Sequence, residues 1–180
     1  MTESVTTITS AADSAEAGAE LARAIRTGLN GAAADAVVVF ASAKHDYDRL
    51  LEALSEGCGT DVIVGSSSAG EFTNLSRGEG FVSALALRSS SMQFSVGLGR
   101  NITQDPVAAA REAVSTFGGI TGRRMPYRSA LVMTDALAGH TDAVVEEMTI
   151  ATGGNYRFFG GGAGDDGLFQ KTHVSRGARR

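Results

Sequence analysis

The sequence predicts an α/β fold: a three-layer domain with a mixed, mostly parallel β-sheet and helices on both faces. Apolar, β-branched runs such as residues 36–41 are typical of strands covered on both faces, and they alternate with helical patterns. That alternation favours parallel pairing through helical crossovers. Two further apolar runs are joined only by Ser89-Ser90-Ser91, which permits antiparallel pairing alone and therefore makes the sheet mixed.

The length and composition exclude several classes of protein. The 180 residues suit one ordinary domain, and 16 Lys and Arg against 20 Asp and Glu leave a net charge of −4. A nucleic-acid binder needs a clustered basic surface, and a membrane span needs ~20 apolar residues, far more than residues 36–41 supply. The single Cys58 cannot form an internal disulfide. We therefore expect a cytoplasmic protein with no cofactor and no nucleic-acid or membrane partner.

The pattern of the chain predicts one folded domain. Residues 1–12 are small, polar and unpatterned, so we expect a disordered N-terminal segment there. Helical and strand patterns then continue over residues 13–175. Residues 176–180 contain three arginines and are expected to form a basic tail.

Four segments carry helix start and stop signals. Asp13, Asp46 and the pair Asp105-Pro106 are N-cap candidates ahead of helically spaced apolar residues. Glycines follow the apolar spacing where each helix is expected to stop. The predicted helices run from Asp13 to about Leu29, from Asp46 to Gly57, from Val107 to Phe117 and from Thr141 to Thr152.

Seven short apolar segments predict the strands. The segments at 81–88 and 92–99 are predicted to pair with each other as an antiparallel hairpin. The predicted strands are residues 35–42, 61–65, 81–88, 92–99, 127–134, 157–159 and 169–174.

Three of these strands end in polar, glycine-rich segments. They are Ser66–Gly70, Thr134-Asp135 and Gly160–Gly167. In open α/β sheets, ligands bind beyond the carboxyl ends of parallel strands, so the three segments are expected to meet at one pocket. The alternative is that small residues merely form tight turns at these places.

The residue types in these segments indicate a binding site for a small polar ligand. Backbone N–H groups around the hydroxyls of Ser66-Ser67-Ser68 suit a carboxylate or phosphate. Asp165 and Asp166 suit a hard cation or an ammonium group. Because neighbouring residues of an extended chain point to opposite sides, at most one of the two should face a pocket. The histidines lack metal-ligand spacing with Cys58 or one another, so no metal site is expected.

A hydrolase arrangement is a further alternative. Ser68, followed two residues later by Gly70, is similar to a nucleophile elbow, but Ser66 stands where the first glycine of that motif belongs. Asp135 with His140 or His173 would complete a triad in hydrolase order.

Five segments, taken in order, resemble the FIST N-terminal domain over about Asp35 to Val174. They are Val37–Ser42, Val62–Glu71, Val96–Gly99, Thr134–Gly139 and Phe159–Asp166. The first motif is matched by Ser66, Ser67, Ser68, Gly70 and Glu71, and the second by Gly161, Gly162, Ala163, Gly164, Asp165 and Asp166.

The resemblance implies a sensory module of signal transduction that binds a small carboxylate or amino acid and has no catalytic residues. The candidate ligand-binding residues are therefore Ser66, Ser67, Ser68, Gly70, Glu71, Asp135, Gly161, Gly162, Gly164, Asp165 and Asp166. Proteins of this family usually continue into a FIST C-terminal domain. We therefore expect either a homo-oligomer or a companion polypeptide that supplies this C-terminal half. A subunit of a two-chain biosynthetic enzyme for small molecules, catalytic or not, stays open as the alternative.

Overall fold

A computed structural model describes residues 1–74, 76–117 and 125–177. The predicted α/β class is confirmed by a five-stranded mixed sheet and four helices among the described residues. The chain divides into two compact units. The first unit consists of Met1–Phe94 and Gly164–Arg180, and the second of Ser95–Ala163. The three-layer arrangement stays a prediction.

The elements alternate along the chain much as the sequence indicates. The helices are α1 (Ser14–Gly28), α2 (Tyr47–Cys58), α3 (Pro106–Val114) and α4 (Thr141–Ala151). The strands are β1 (Thr2–Thr9), β2 (Ala36–Ser42), β3 (Ile63–Ser68), β4 (Glu71–Phe72), β5 (Arg77–Gly78), β6 (Val82–Ser89), β7 (Ser129–Thr134), β8 (Arg157–Gly162) and β9 (Val174–Arg176). None of the described helices is both long and apolar enough to cross a membrane.

The main sheet lies in the first unit and has the order β1-β6-β2-β3-β9. Only β2 and β3 pair in parallel, whereas the other three pairs are antiparallel. The prediction of a mostly parallel sheet is therefore wrong. The reason is that β6 inserts between β1 and β2 and runs antiparallel to both, a pairing that depends on contacts distant in the chain.

The predicted disorder of residues 1–12 is also wrong, because β1 occupies most of that segment. Its threonines, with Val5 and Ile8, have high β-propensity, and β6 supplies a partner over eight residue pairs. Val5 packs against the core of the first unit. At the other end, residues 178–180 of the expected basic tail lie outside the described residues, and Arg176 belongs to β9.

The predicted hairpin of residues 81–88 and 92–99 does not form. The first segment forms β6, but residues 92–99 form no strand. Gly97 and Gly99 instead lie against the backbone of α3. A Cβ at Gly97 would lie 1.8 Å from Ala113 O, and a Cβ at Gly99 would lie 1.9 Å from Ala109 O. Close packing on a helix thus replaces strand pairing here.

The core of the first unit forms between the sheet and the helix pair α1 and α2. Asp13 and Asp46 cap these helices, as predicted, by accepting hydrogen bonds from backbone N–H groups of the first turn. Fully buried residues from both helices and from the strands form the core, among them Leu21, Ile25, Leu50, Leu54 and Ile63. This packing fixes the positions of the carboxyl ends of β2 and β3.

The second unit has a separate core between α3 and α4. Ala110, Val114, Val144 and Met148 form it, and the strands β7 and β8 pair in parallel as a two-stranded sheet. The predicted strand at 157–159 extends to Gly162. Arg111 of α3 forms an ion pair with Glu147 of α4, with 2.7 Å between Nε and Oε1.

Candidate functional site

The carboxyl ends of β2 and β3 adjoin because the two strands are parallel. Ser42 and Ser68 are register partners at the last step of the pair. The segment that begins at Gly164 meets them, since Gly164 N–H donates to Ser67 O at 2.9 Å and Ser42 Oγ donates to Asp166 Oδ2 at 2.8 Å. Two of the three expected segments therefore meet within the first unit. We call Ser42, Ser67, Ser68, Glu71 and Asp166 the strand-end cluster.

Gly164 lies close to the serine turn. A Cβ at this position would lie 3.2 Å from Ala69 N and 3.4 Å from the carbonyl carbon of Ser68, tighter than most such contacts. Gly70, in the turn between β3 and β4, has a φ of +90°, which glycine adopts without steric cost. Glycine is therefore favoured by the local backbone at Gly70 of the first family motif and at Gly164 of the second.

Two of the serine hydroxyls are engaged inside the protein. Ser67 is buried, and its Oγ accepts a hydrogen bond from His173 N–H at 2.8 Å. Ser68 Oγ donates to Glu71 Oε1 at 2.6 Å, while Glu71 Oε2 accepts from Phe81 N–H at 2.9 Å. Glu71 is itself buried, so it holds the serine turn to the start of β6. Ser66, also predicted as a ligand-binding residue, is buried in β3.

Asp165 is engaged by the loop that follows it. Its carboxylate accepts hydrogen bonds from the backbone N–H groups of Phe169, Gln170 and Lys171, at 2.9, 2.6 and 3.0 Å. The bond from Gln170 contributes most to lowering the pKa of Asp165, and desolvation opposes it. The turn made by these bonds also explains why the predicted strand at 169–174 is absent and β9 begins only at Val174.

Asp166 differs from its neighbour because one of its oxygens has no partner among the described residues. Its backbone has a φ of +57°, in the left-handed region that aspartate tolerates better than most residues. Oδ2 accepts the hydrogen bond from Ser42, but Oδ1 is buried and meets no hydrogen-bond donor in the described ranges. A buried, unsatisfied polar atom costs about 1–3 kcal/mol, and more when it is charged.

Tyr47 and Ser42 are parts of this region that sequence reasoning missed. The Tyr47 hydroxyl donates to Ala41 O at 2.8 Å, and its ring stacks on His173 with centroids 4.5 Å apart. Burial, followed by the charge of Glu71, raises the pKa of Tyr47, whereas burial and the charge of Lys171 lower the pKa of His173. The sequence does offer a signal for Ser42 as a site residue, because it ends a predicted buried strand.

Within the first unit, Ser68 and His173 are engaged in contacts other than those of the hydrolase triad that the sequence left open. The Ser68 hydroxyl donates to a carboxylate, and the His173 ring stacks on Tyr47. Asp135 and His140 belong to the second unit. In the part of the chain that the structure describes, no three His, Cys, Asp or Glu side chains are grouped to hold a metal ion.

The remaining predicted residues lie in the second unit. Asp135 Oδ1 accepts hydrogen bonds from Leu137 N–H at 2.9 Å and Ala138 N–H at 3.3 Å, which is turn chemistry at the end of β7. Gly162 pairs in register with Thr134, and Gly161 has open space where a Cβ would stand. The convergence of this group with the strand-end cluster stays a prediction.

Comparison with protein families agrees with the two motifs. The family model of the FIST N domain matches residues 35–179, which leaves β1 and α1 ahead of the matched region. A comparison with curated proteins finds no match. FIST domains are a family of signal-transduction sensor domains. Because the match covers most of the chain, this protein belongs to the FIST N domain family.

Proposed function

We propose that the chain is a sensor domain that binds a small ligand with an ammonium and a carboxylate group, such as an amino acid, at the strand-end cluster. The observation that carries this proposal is the buried Asp166 Oδ1 without a hydrogen-bond partner in the described residues. Membership of a sensor family supports a binding role, and the cluster supplies the chemistry of the ligand.

The ammonium group is assigned to Asp166 because of its unpaired oxygen. A carboxylate oxygen that loses water without gaining a donor destabilises the folded protein. A ligand ammonium donates a charge-assisted hydrogen bond to such an oxygen and offsets that cost. Asp165 is the poorer candidate, since three backbone N–H groups already bind its carboxylate.

The carboxylate group is assigned to the backbone of the serine turn and not to its hydroxyls. Ser67 and Ser68 use their hydroxyls in internal contacts, and Glu71 is bound by Ser68 and Phe81. Ala69 is exposed and Gly70 is half-buried, so small side chains leave the backbone N–H groups of this turn open to an anion. Gly164, against the same turn, has no side chain to block the approach.

A thermal-unfolding screen of amino acids, amines and small carboxylic acids tests this assignment. A ligand at 100 times its dissociation constant stabilises the protein by about 2.7 kcal/mol. Asp166→Asn keeps an acceptor for Ser42 and tolerates the left-handed backbone, but removes the charge. We expect at least tenfold weaker binding of the best ligand by this variant, and unchanged or higher stability without ligand.

The matched control is Asp142→Asn, which removes an exposed carboxylate in the first turn of α4. We expect its ligand affinity to equal that of the unaltered protein. A folded protein that responds to no panel member contradicts the proposal. So does equal affinity in the Asp166→Asn variant.

One observation favours the enzymatic alternative, a subunit of a two-chain biosynthetic enzyme. Ser68 Oγ lies 2.6 Å from a buried carboxylate, which is the contact that a general base makes with a hydroxyl nucleophile. The two functions differ in turnover. The ligand is incubated with the protein alone and with any copurifying polypeptide. Recovery of the unchanged ligand in both cases supports the sensor function over the enzymatic one.

A further inference from the structure

The two edges of the main sheet differ in how they are protected. The edge strand β9 has only three residues, and one of them is Arg176. The opposite edge strand, β1, has eight residues and pairs with β6 without interruption. Short length and charge are common ways to keep a sheet edge from pairing with another strand. The β9 edge has both features, whereas β1 is long.

Among the described residues, the β1 edge carries few of the usual protecting features. Its sequence contains no proline and no lysine, and the regular register with β6 includes no bulge. Glu3 is its one charged side chain, and the Arg88 guanidinium lies 3.1 Å from that carboxylate. A strand of this kind is a template for another strand.

The register shows which backbone groups of β1 face away from the sheet. Ser90 N–H donates to Met1 O, and in an antiparallel ladder the bonded residues alternate. The odd-numbered residues of β1 therefore bond to β6, and the backbone N–H and C=O groups of Thr2, Ser4, Thr6 and Ile8 face outward. The contact between Thr6 and Asn74 is made by the Thr6 hydroxyl, which donates to Asn74 Oδ1 at 3.4 Å, and not by the Thr6 backbone.

We propose that β1 pairs antiparallel with β1 of a second copy of this chain, about a two-fold axis at Val5. In that register Thr2 pairs with Ile8 and Ser4 with Thr6, so all four outward residues are used, with roughly eight backbone hydrogen bonds. A shift of two residues in either direction leaves outward groups unpaired. This inference does not rest on the proposed ligand.

The side chains of this register are also compatible with a second copy. Glu3 stands opposite Thr7, so no like charges face each other. Val5 meets its own counterpart on the face that already packs against the core, which continues the apolar layer across the axis. Ser and Thr pairs on the other face form favourable cross-strand contacts. The region matched by the family model begins after β1, at residue 35, so this strand lies outside it.

This pairing is tested by sedimentation of the full chain over a range of concentrations. Thr6→Pro is the test variant. Proline is tolerated on an edge strand where its N–H would face outward, but it removes a central hydrogen bond twice by symmetry. We expect a dimer whose dissociation constant rises at least tenfold in Thr6→Pro. Thr6→Val, which retains the N–H group, is the matched control and should dimerise like the unaltered protein.

Amide hydrogen exchange reports the register itself and does not depend on how a variant folds. In the dimer, the amides of Thr2, Ser4, Thr6 and Ile8 should exchange slowly, and dilution below the dissociation constant should release them. A chain that stays monomeric at every soluble concentration overturns the proposal, as does a dimer whose four amides stay unprotected. Protection that appears only when a separate strand-forming peptide is added assigns the edge to another partner and overturns self-pairing.

Discussion

Asp165 and Asp166 are adjacent, yet the fold gives their carboxylates different surroundings. Asp165 turns toward its own loop and accepts three backbone N–H groups. Asp166 turns toward β2 and accepts the hydroxyl of Ser42. The first carboxylate fixes the loop before β9, and the second has an oxygen that no described residue satisfies.

The loop contacts of Asp165 predict a particular dependence of stability on pH. Its pKa is lowered from the ordinary 3.8, so its contribution to the free energy of unfolding is fully present above that pH and is lost as pH falls through the lowered pKa. Urea unfolding of the protein and of Asp165→Asn checks this. The variant should be less stable at neutral pH, and the difference should shrink below about pH 4. A difference that stays constant down to pH 2 would show that the charge is not the cause.

At the scale of elements, small residues determine how closely α1 and α2 approach. A Cβ at Gly18 would lie 2.4 Å from Leu50 O and 2.9 Å from Ala53 Cβ. A Cβ at Gly57 would lie 2.4 Å from Ala22 Cβ. The helix pair therefore needs glycine at positions where helix propensity alone would favour alanine.

Gly18→Ala tests this contact. Alanine gains about 1 kcal/mol of helix propensity, but overpacking against a backbone oxygen costs more. We expect a net loss of about 1–2 kcal/mol in the free energy of unfolding, measured in urea. Gly161→Ala is the control, because nothing lies within 4 Å of its new Cβ and stability should change by less than about 0.5 kcal/mol. An equally stable Gly18→Ala protein would refute the close contact.

Local signals explain which elements the sequence predicts well. Asp13, Asp46 and Asp105 cap their helices as expected, because a cap acts on N–H groups only two or three residues away. Strand pairing is not local, and the sequence does not reveal that β6 has β1 as a neighbour. For this reason the sequence predicts disorder at residues 1–12, where the structure has β1.

The same distinction applies to the candidate site. Glycine-rich strand ends indicate where the motifs lie, and two of them meet as expected. The choice of hydrogen-bond partner is not visible in the sequence, since Ser42 and Asp166 are 124 residues apart. Ser68 binds Glu71, and Asp165 binds its own loop. Both contacts depend on side-chain geometry, which only the fold determines.

At the scale of the whole molecule, the chain has two cores of unequal size. The first unit buries many large aliphatic side chains under a five-stranded sheet. The core of the second unit consists largely of alanine, valine and one methionine beside a two-stranded sheet. Two-stranded sheets are marginal without further packing.

Native-state hydrogen exchange should therefore show two groups of amides. We expect the amides of α3 and α4 to open at a lower free energy than those of β2 and α2, because less apolar surface is buried around them. The helical and strand amides of each unit should open together. One opening free energy shared by all core amides would contradict this division into units.

The proposed function requires that Asp166 Oδ1 receives a donor from a ligand. The most direct test is a crystal structure of the protein with the panel member that stabilises it most. We predict a ligand nitrogen about 2.7–2.9 Å from Oδ1, with the ligand carboxylate at the turn of Ala69 and Gly70. A ligand bound elsewhere, with Oδ1 still unpaired, would contradict the claim.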